Sequence, residues 1–151
     1  MRQTMLLVLL GVVGIAMAGQ GTGLGVIAGE PTGVSAKLWL SDFMAVDAAA
    51  AWSVVRYAAL HVHADVLYHN TELLKVPVGE LPAYLGVGGR FKVAGGDHYK
   101  ARIGLRVPVG LEYLFDGVPL GVFMEVAPVF DLVPETQFDF NGGVGARWYF
   151  R

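Results

Sequence analysis

The fold of this chain is decided by residues 99–115, which read YKARIGLRVPVGLEYLF. Aliphatic and aromatic side chains alternate there with glycine, proline and charged side chains, with a period of two residues. Because successive side chains of a β-strand point to opposite faces, this pattern predicts a strand with one apolar and one polar face. Proline cannot donate a ladder hydrogen bond, so we expect a bulge or local break near Pro108 and near Pro128.

The same alternation recurs along the rest of the chain after residue 19, where no stretch has convincing helical periodicity. We therefore expect an all-β fold, an eight-stranded antiparallel up-and-down barrel, since bacterial transmembrane barrels have an even number of strands. Most of the predicted strands are long enough to cross a bilayer, for which about ten tilted residues suffice. The predicted strands cover residues 22–29, 33–40, 45–54, 57–69, 82–93, 99–115, 118–132 and 138–150.

Composition indicates which face of these strands points outward. Hydrophobic residues make up 54% of the chain and charged residues only 16%, whereas about 25% is usual in soluble domains. The polar faces of the strands consist mostly of glycine and alanine, with a few charges of both signs. They have too few charged residues for a surface exposed to water. They suit the narrow lumen of an eight-stranded barrel, which side chains just fill. The absence of cysteine excludes disulfides and thiolate metal sites.

The first 18 residues have the pattern of a cleavable signal peptide. Arg2 supplies a positive charge, residues 5–18 are apolar, and Ala16-Met17-Ala18 resembles a cleavage site. The apolar run is shorter than the roughly 20 residues of a membrane-spanning helix. We therefore expect residues 1–18 to direct export and residues 19–151 to form a transmembrane barrel in a bacterial outer membrane.

Charged residues on the predicted inner face form candidate ion pairs. Asp116-Gly117 is typical of a two-residue hairpin turn, and the resulting register places Arg102 opposite Asp131. The same register places Glu125 diagonal to Arg106, within reach of long side chains.

The next hairpin adds a further partner, because one plausible register places Glu125 opposite Arg147. An unpaired charge in a lumen of low dielectric constant is costly, so we expect these groups to pair and close the lumen. A gated or ligand-binding lumen is the alternative. The predicted lumen network consists of Arg102, Arg106, Glu125, Asp131 and Arg147.

A row of polar side chains lies on one face of the predicted fourth strand. His61, His63 and Asp65 are spaced by two residues, and two histidines with a carboxylate can bind zinc. Ligands in one straight row do not converge, however, without a partner from elsewhere in the fold. We therefore expect hydrogen-bonded lumen histidines, with no metal and no cofactor.

Basic residues cluster near the predicted outer rim. They could contact lipopolysaccharide phosphates, for which arginine and lysine are suited, or pair in water with Asp97 and Asp131. The rim cluster consists of Arg90, Lys92, His98 and Lys100, continued by Arg102.

An enzymatic role has little support in the sequence. Some eight-stranded outer-membrane barrels modify lipids with serine and histidine, and residues 19–151 contain the three serines Ser35, Ser41 and Ser53. Ser53 is eight and ten residues away from His61 and His63, which lie deeper in the predicted wall, so the geometry for a nucleophile and its base is poor. We expect no enzymatic activity.

Four segments of the chain resemble a known family. They are Gly29-Glu30-Pro31-Thr32-Gly33, residues 106–113, residues 122–128 and residues 142–150. They resemble an uncharacterised family of small outer-membrane barrel proteins from spirochaetes and myxobacteria, similar in architecture to the OmpA transmembrane domain. The resemblance implies an integral barrel and leaves its activity open.

The last segment is also similar to the signal that the barrel-assembly machinery reads. The side chains that would form this assembly signal lie on one face of the last predicted strand. They are Val144, Ala146, Trp148 and Phe150.

These observations predict an outer-membrane barrel with a charge-plugged lumen and a structural or envelope-integrity role. A narrow channel or small-ligand transporter is the first alternative, a lipid-modifying enzyme the second and a soluble secreted barrel the third.

The expected partners are the lipid bilayer, the barrel-assembly machinery and, as a candidate, lipopolysaccharide. The net charge of −2 gives no reason to expect nucleic acid, and we expect no oligomer. The longest connection, residues 70–81, is expected on the periplasmic side.

Overall fold

The computed structural model describes residues 21–29, 32–53, 59–94 and 100–150, and the chain is all-β over these ranges. Nowhere in them is there a helix long and apolar enough to cross a membrane. The predicted signal peptide (residues 1–18) and the centre of the turn at residues 29–32 lie outside the described residues, as does His98.

Nine β-segments follow one another along the described chain. Each is longer than six residues except β7, and β8 and β9 have 14 residues each. The segments are β1 (Thr22–Gly29), β2 (Gly33–Trp39), β3 (Met44–Ser53), β4 (Ala59–Asn70), β5 (Ala83–Ala94), β6 (Lys100–Arg106), β7 (Val109–Leu114), β8 (Leu120–Val133) and β9 (Gln137–Phe150).

These segments close into an antiparallel ring of eight wall strands. Consecutive wall strands pair with each other, and β1 pairs with β9 to close the ring. The short segments β6 and β7 are two halves of one wall strand, because both pair with β5 on one side and with β8 on the other. The predicted eight-stranded up-and-down barrel is thereby confirmed. We call the end that holds Thr22 and Phe150 the terminal end, and the other the opposite end.

The two prolines behave differently from each other. The wall strand is interrupted at Val107 and Pro108, as predicted, but β8 runs without a break through Pro128, where a break was also expected. The register against β8 is the same on both sides of the interruption, so no residue is inserted there. Gly86 N–H donates to the Pro108 carbonyl at 2.9 Å and Val107 N–H to the Pro128 carbonyl at 3.0 Å. Each proline therefore removes one donor from a ladder that its neighbours maintain.

The predicted orientation of the two faces is confirmed. Along the interrupted strand, Leu105 is 53% exposed while Arg106 beside it is 0% exposed. Apolar side chains cover the outside of the barrel, and the buried apolar cluster is small, with Ile27, Ala49 and Phe123. The interior is therefore filled mainly by polar and charged side chains.

The turn between β7 and β8 differs from the predicted two-residue turn. Leu114 pairs with Gly121, and Phe115 N–H donates to the Leu120 carbonyl at 3.0 Å. The turn therefore spans residues 116–119. Pro119 cannot donate to the ladder, and the strand begins after it. A shift of two residues keeps every side chain on its predicted face but changes its partner across the hairpin.

The connection between β4 and β5 is long and folds back on the wall. The Asn70 carboxamide oxygen accepts from two backbone N–H groups at its start, and the Tyr113 hydroxyl donates to the Val78 carbonyl at 2.7 Å near its end. On its exposed side, Lys75 pairs with Glu72 at 2.8 Å. The hydrogen bond and charge of Lys75 lower the pKa of the Glu72 carboxyl.

Candidate functional site

The candidate functional site is the charged interior of the barrel. Among the described residues, five buried carboxylates face four buried basic side chains, together with three buried histidines. Alternation along the strands brings them inward, and closure of the ring brings them together. The charged groups are Lys37, Asp47, Asp65, Arg90, Arg106, Glu112, Glu125, Asp131 and Arg147.

Lys37 and Glu112 form an ion pair near the terminal end. Both side chains are 0% exposed. Lys37 Nζ also lies 2.7 Å from His69 Nε2, and the Tyr149 hydroxyl donates to Glu112 Oε1. The two charges therefore have partners from β2, β4, β7 and β9, which ties four parts of the wall together.

Arg147 connects this pair to the middle of the barrel. Its guanidinium donates to Asp47 Oδ2 at 3.1 Å and to Ser35 Oγ at 2.9 Å. Arg147 Nη1 lies 3.6 Å from Glu112 Oε1, and the guanidinium stacks 3.8 Å from the Phe123 ring centroid. One arginine thus serves two carboxylates on different strands.

Arg106 has the same role in the middle of the barrel. Its Nε lies 3.1 Å from Asp65 Oδ2, and its Nη2 donates to Glu125 Oε1. The Tyr84 hydroxyl donates to Glu125 Oε2 at 2.8 Å. Gly88 lies opposite Asp65, where a Cβ would be 2.0 Å from the Asp65 carboxylate. The absence of a side chain there makes room for the ion pair.

Arg90 organises the opposite end. It donates to Asp131 at 2.7 Å and to the Asn141 carboxamide oxygen at 2.6 Å, and it lies 3.2 Å from Asp139. Arg102 lies 3.9 Å from Asp131. The side chains of Asp139 and Arg102 are 39% and 40% exposed, so water reaches this end.

Two expected pairings are corrected by the observed register. Asp131 lies opposite Gly104, not Arg102, because the turn is two residues longer than predicted. Glu125 lies opposite Gly143, not Arg147.

All five residues of the predicted network still face the interior. The structure brings Arg106 and Glu125 into direct contact, but not as diagonal neighbours, because Glu125 lies opposite Gly110 and Arg106 lies opposite Val129. Arg147 instead contacts Asp47 and Glu112.

The histidine row lies on the inner face of β4. His61 Nε2 lies 3.4 Å from the Asn141 side-chain nitrogen. His63 Nδ1 lies 3.1 Å from Asp65 Oδ2, and His63 Nε2 has no hydrogen-bond partner. Asp47 of β3 lies directly opposite Asp65, and the ligand atoms of Asp47, His63 and Asp65 all lie within 4.8 Å of one another. A neighbouring strand thus supplies the converging group that one straight row lacks.

The predicted rim cluster is divided in the structure. Arg90 is 1% exposed and points inward to Asp131, which corrects its expected place at the outer rim. Lys92 is half-buried and Lys100 is exposed, while His98 lies outside the described residues. Residues 90 and 92 face the lumen like the other even-numbered residues of β5, whereas Lys100 is the first residue of β6.

The described serines have structural contacts. Ser35 is 3% exposed, and its oxygen accepts from Arg147. Ser41 accepts from the backbone N–H of Met44 at 3.1 Å in the β2–β3 turn. The side chain of Ser53 lies outside what the structure describes.

The residues of the predicted assembly signal share the outward face of β9. Three of them are about half exposed, at 54%, 47% and 44% for Val144, Trp148 and Phe150. Ala146 lies between them on the same face.

Sequence reasoning missed several members of the lumen network. Lys37, Asp47 and Glu112 were not singled out, although each is a lone charge among apolar, small or aromatic neighbours. Such a charge in an otherwise uncharged stretch is a signal for an inward position, since an outward one would face the apolar surface of the barrel. Their partners come from strands far apart in sequence, such as Lys37 and Glu112, 75 residues apart.

Comparison with known proteins supports the fold. The N-terminal β-barrel domain of Pseudomonas aeruginosa OprF is similar to this chain, with a TM-score of 0.67 and 14% sequence identity over 87% of this chain and 98% of that domain. Ail, the attachment invasion locus protein of Yersinia pestis, matches with a TM-score of 0.37 and 12% identity over 86% of this chain and 94% of Ail. No family model and no curated protein matches the sequence. At these identities, the OprF similarity shows a shared barrel fold.

Proposed function

We propose that this protein is an integral barrel of a bacterial outer membrane, with a lumen closed by its ion pairs and a structural role in the envelope. The observation that carries the proposal is Arg106, which is 0% exposed in mid-barrel and lies between Asp65 and Glu125. Groups held in this way exclude water, and opening the lumen would require separating charges in a region of low dielectric constant.

The outer surface supports a membrane location. The outward side chains are largely aliphatic and aromatic, and Leu105, Val126 and Phe140 are each more than half exposed. A continuous apolar surface of this kind marks a membrane or a partner in soluble proteins, and around an eight-stranded barrel it suits lipid. Residues 1–18 would direct export, and the spirochaete and myxobacterial type stays a prediction.

The proposed partners follow from this location. The bilayer surrounds the wall, and the barrel-assembly machinery would read the outward face of β9 during biogenesis. Lipopolysaccharide phosphates are candidate contacts for the exposed Lys100 and the half-buried Lys92. Neither an oligomer nor nucleic acid is part of the proposal.

A narrow channel is the second candidate, and the opposite end favours it. The 40% exposure of the Arg102 side chain and the 39% exposure of Asp139 mean that water enters the lumen there. A lipid-modifying enzyme has less support, because Ser35 is buried against Arg147.

Conductance of the refolded protein in a planar bilayer tests the proposal, after insertion has been verified. We expect silence over a wide voltage range. Steady, ion-selective steps would contradict a closed lumen. A change of selectivity in Glu125→Gln, but not in the exposed Glu135→Gln, would assign the conducting path to the lumen and make the channel the primary function.

A further inference from the structure

A cluster of possible metal ligands lies beside the ion pairs in the middle of the barrel. Asp47 and Asp65 face each other across β3 and β4, and His63 precedes Asp65 on the same inward face. The three side chains are 2%, 3% and 2% exposed in the order Asp47, His63, Asp65. One ligand atom from each lies within 4.8 Å of the others.

The charges around this cluster do not balance. Arg147 is shared between Asp47 and Glu112, and Arg106 is shared between Asp65 and Glu125. Asp47 and Asp65, which each share their arginine with another carboxylate, therefore lie opposite one another. Like charges directly opposite on neighbouring strands are destabilising. Among the described buried groups, carboxylates outnumber basic side chains by one. The cluster therefore has an excess of negative charge that a cation or a proton would neutralise.

The same cluster holds several buried polar atoms without hydrogen bonds. They include Nε2 of His63 and the Oδ1 atoms of Asp47 and Asp65, whereas Asp65 Oδ2 lies 3.1 Å from both Arg106 Nε and His63 Nδ1. Buried polar atoms of this kind usually have a partner, because leaving one unsatisfied costs about 1–3 kcal/mol. Histidine deserves particular weight here, since a neutral imidazole has one nitrogen that can only accept and is free to bind a cation.

The geometry points to a divalent transition-metal site formed by Asp47, His63 and Asp65, with Zn²⁺ as the representative ion. One imidazole nitrogen and two carboxylate oxygens are ligands that zinc accepts in proteins. The arginines contact the Oδ2 atom of each carboxylate, and His63 Nδ1 also contacts Oδ2 of Asp65, whereas neither Oδ1 atom has a hydrogen-bond donor. Arg106 and Arg147 would then orient the ligands from outside, as outer-shell partners do in metal sites.

This inference goes beyond the proposed function and is independent of it. A barrel that does not conduct can hold the ion, and a conducting barrel can lack it. A shared proton between Asp47 and Asp65 is the competing way to remove the excess charge, and it predicts that no metal binds.

Metal content after refolding tests the site. The wild-type protein is refolded in detergent with Zn²⁺ and desalted, and bound zinc is measured per chain by atomic emission. A parallel sample receives Co²⁺, whose visible absorption reports bound nitrogen and oxygen ligands. We expect one metal per chain. His63→Gln should reduce retained metal to about a tenth or less, because loss of a ligand exceeds the tenfold to hundredfold effect of losing an outer-shell partner.

His69→Gln is the matched control. His69 is an equally buried histidine on the same face of β4, but it contacts Lys37 and lies six residues from His63, about 20 Å along the strand. It should retain one metal per chain. Folding of each variant is checked by heat-dependent gel mobility, and Asp47→Asn replaces His63→Gln should that variant not fold. Metal-free wild type, or equal retention by the ligand variant and His69→Gln, would overturn the site.

Discussion

The two ends of the lumen are built from the same kinds of residues but differ in their access to water. At the terminal end, Lys37 and Glu112 are both 0% exposed and enclosed by Tyr149 and His69. At the opposite end, the Arg90 side chain is equally buried, but Asp139 and Arg102 beside it are 39% and 40% exposed. The lumen is therefore dry at one end and reached by water at the other.

This difference shows that the contribution of an ion pair to stability depends on its position in the barrel. A buried pair that loses one partner leaves a charge in a region of low dielectric constant, whereas solvent replaces the partner of an exposed one. The terminal end should therefore contribute most of the stability that depends on charges. The opposite end should contribute less and respond more to salt.

The largest effect is expected for Glu112→Ala at the terminal end. It leaves Lys37 without its carboxylate and removes one of the two carboxylates of Arg147. We expect the free energy of unfolding in detergent to fall by about 3–5 kcal/mol, the usual cost of breaking a buried pair. Denaturant titration measures it. Glu135→Ala, in the exposed turn before β9, is the control and should change stability by no more than about 0.5 kcal/mol.

A smaller effect is expected for Tyr149→Phe, which keeps the ring and removes the hydroxyl that donates to Glu112. Hydrogen bonds to charged groups contribute about 1.5–3 kcal/mol, and unfolding should become easier by that amount. Tyr113→Phe is the control on the outer face, where the hydroxyl donates to the Val78 carbonyl in an exposed position. Equal losses in the two variants would show that the terminal end is not drier than the surface.

The smallest effect is expected for Asp139→Ala at the opposite end. Its ion pair with Arg90 has a length of 3.2 Å, but its side chain is 39% exposed, and Arg90 retains Asp131. The loss should be at most about 1 kcal/mol and should shrink further in high salt, because exposed charges are screened. Comparing melting temperatures at low and high salt checks it. A loss as large as that of Glu112→Ala would remove the contrast between the ends.

The sequence predicted which residues face the lumen, but it predicted only some of the ion pairs that they form. Arg106 and Glu125 were matched correctly, although the longer turn places Val129 opposite Arg106, four residues from Glu125. Their long side chains extend into the same lumen and still meet. Arg147 was matched with Glu125, yet it contacts Asp47, 100 residues away. No local pattern identifies such a partner, since it depends on how β1 and β9 close the ring.

The cluster of Asp47, His63 and Asp65 was also predicted only in part from the sequence. The row on β4 was visible as an alternation of polar residues, whereas Asp47 is the only charge in a run of alanines and valine on β3. Its place opposite Asp65 follows from the register of the β3–β4 hairpin.

The sequence by itself determined the strands, their inner and outer faces and the closure expected of eight such strands, because the two-residue period is a property of the extended backbone. The tertiary structure alone decided the partners. The turn at residues 116–119 set the register of one hairpin, and the pairing of β1 with β9 brought Arg147 to Asp47. The interruption at Pro108 did not change the register against β8. Partners across a barrel depend on registers summed around the ring, and those are fixed only when the ring closes.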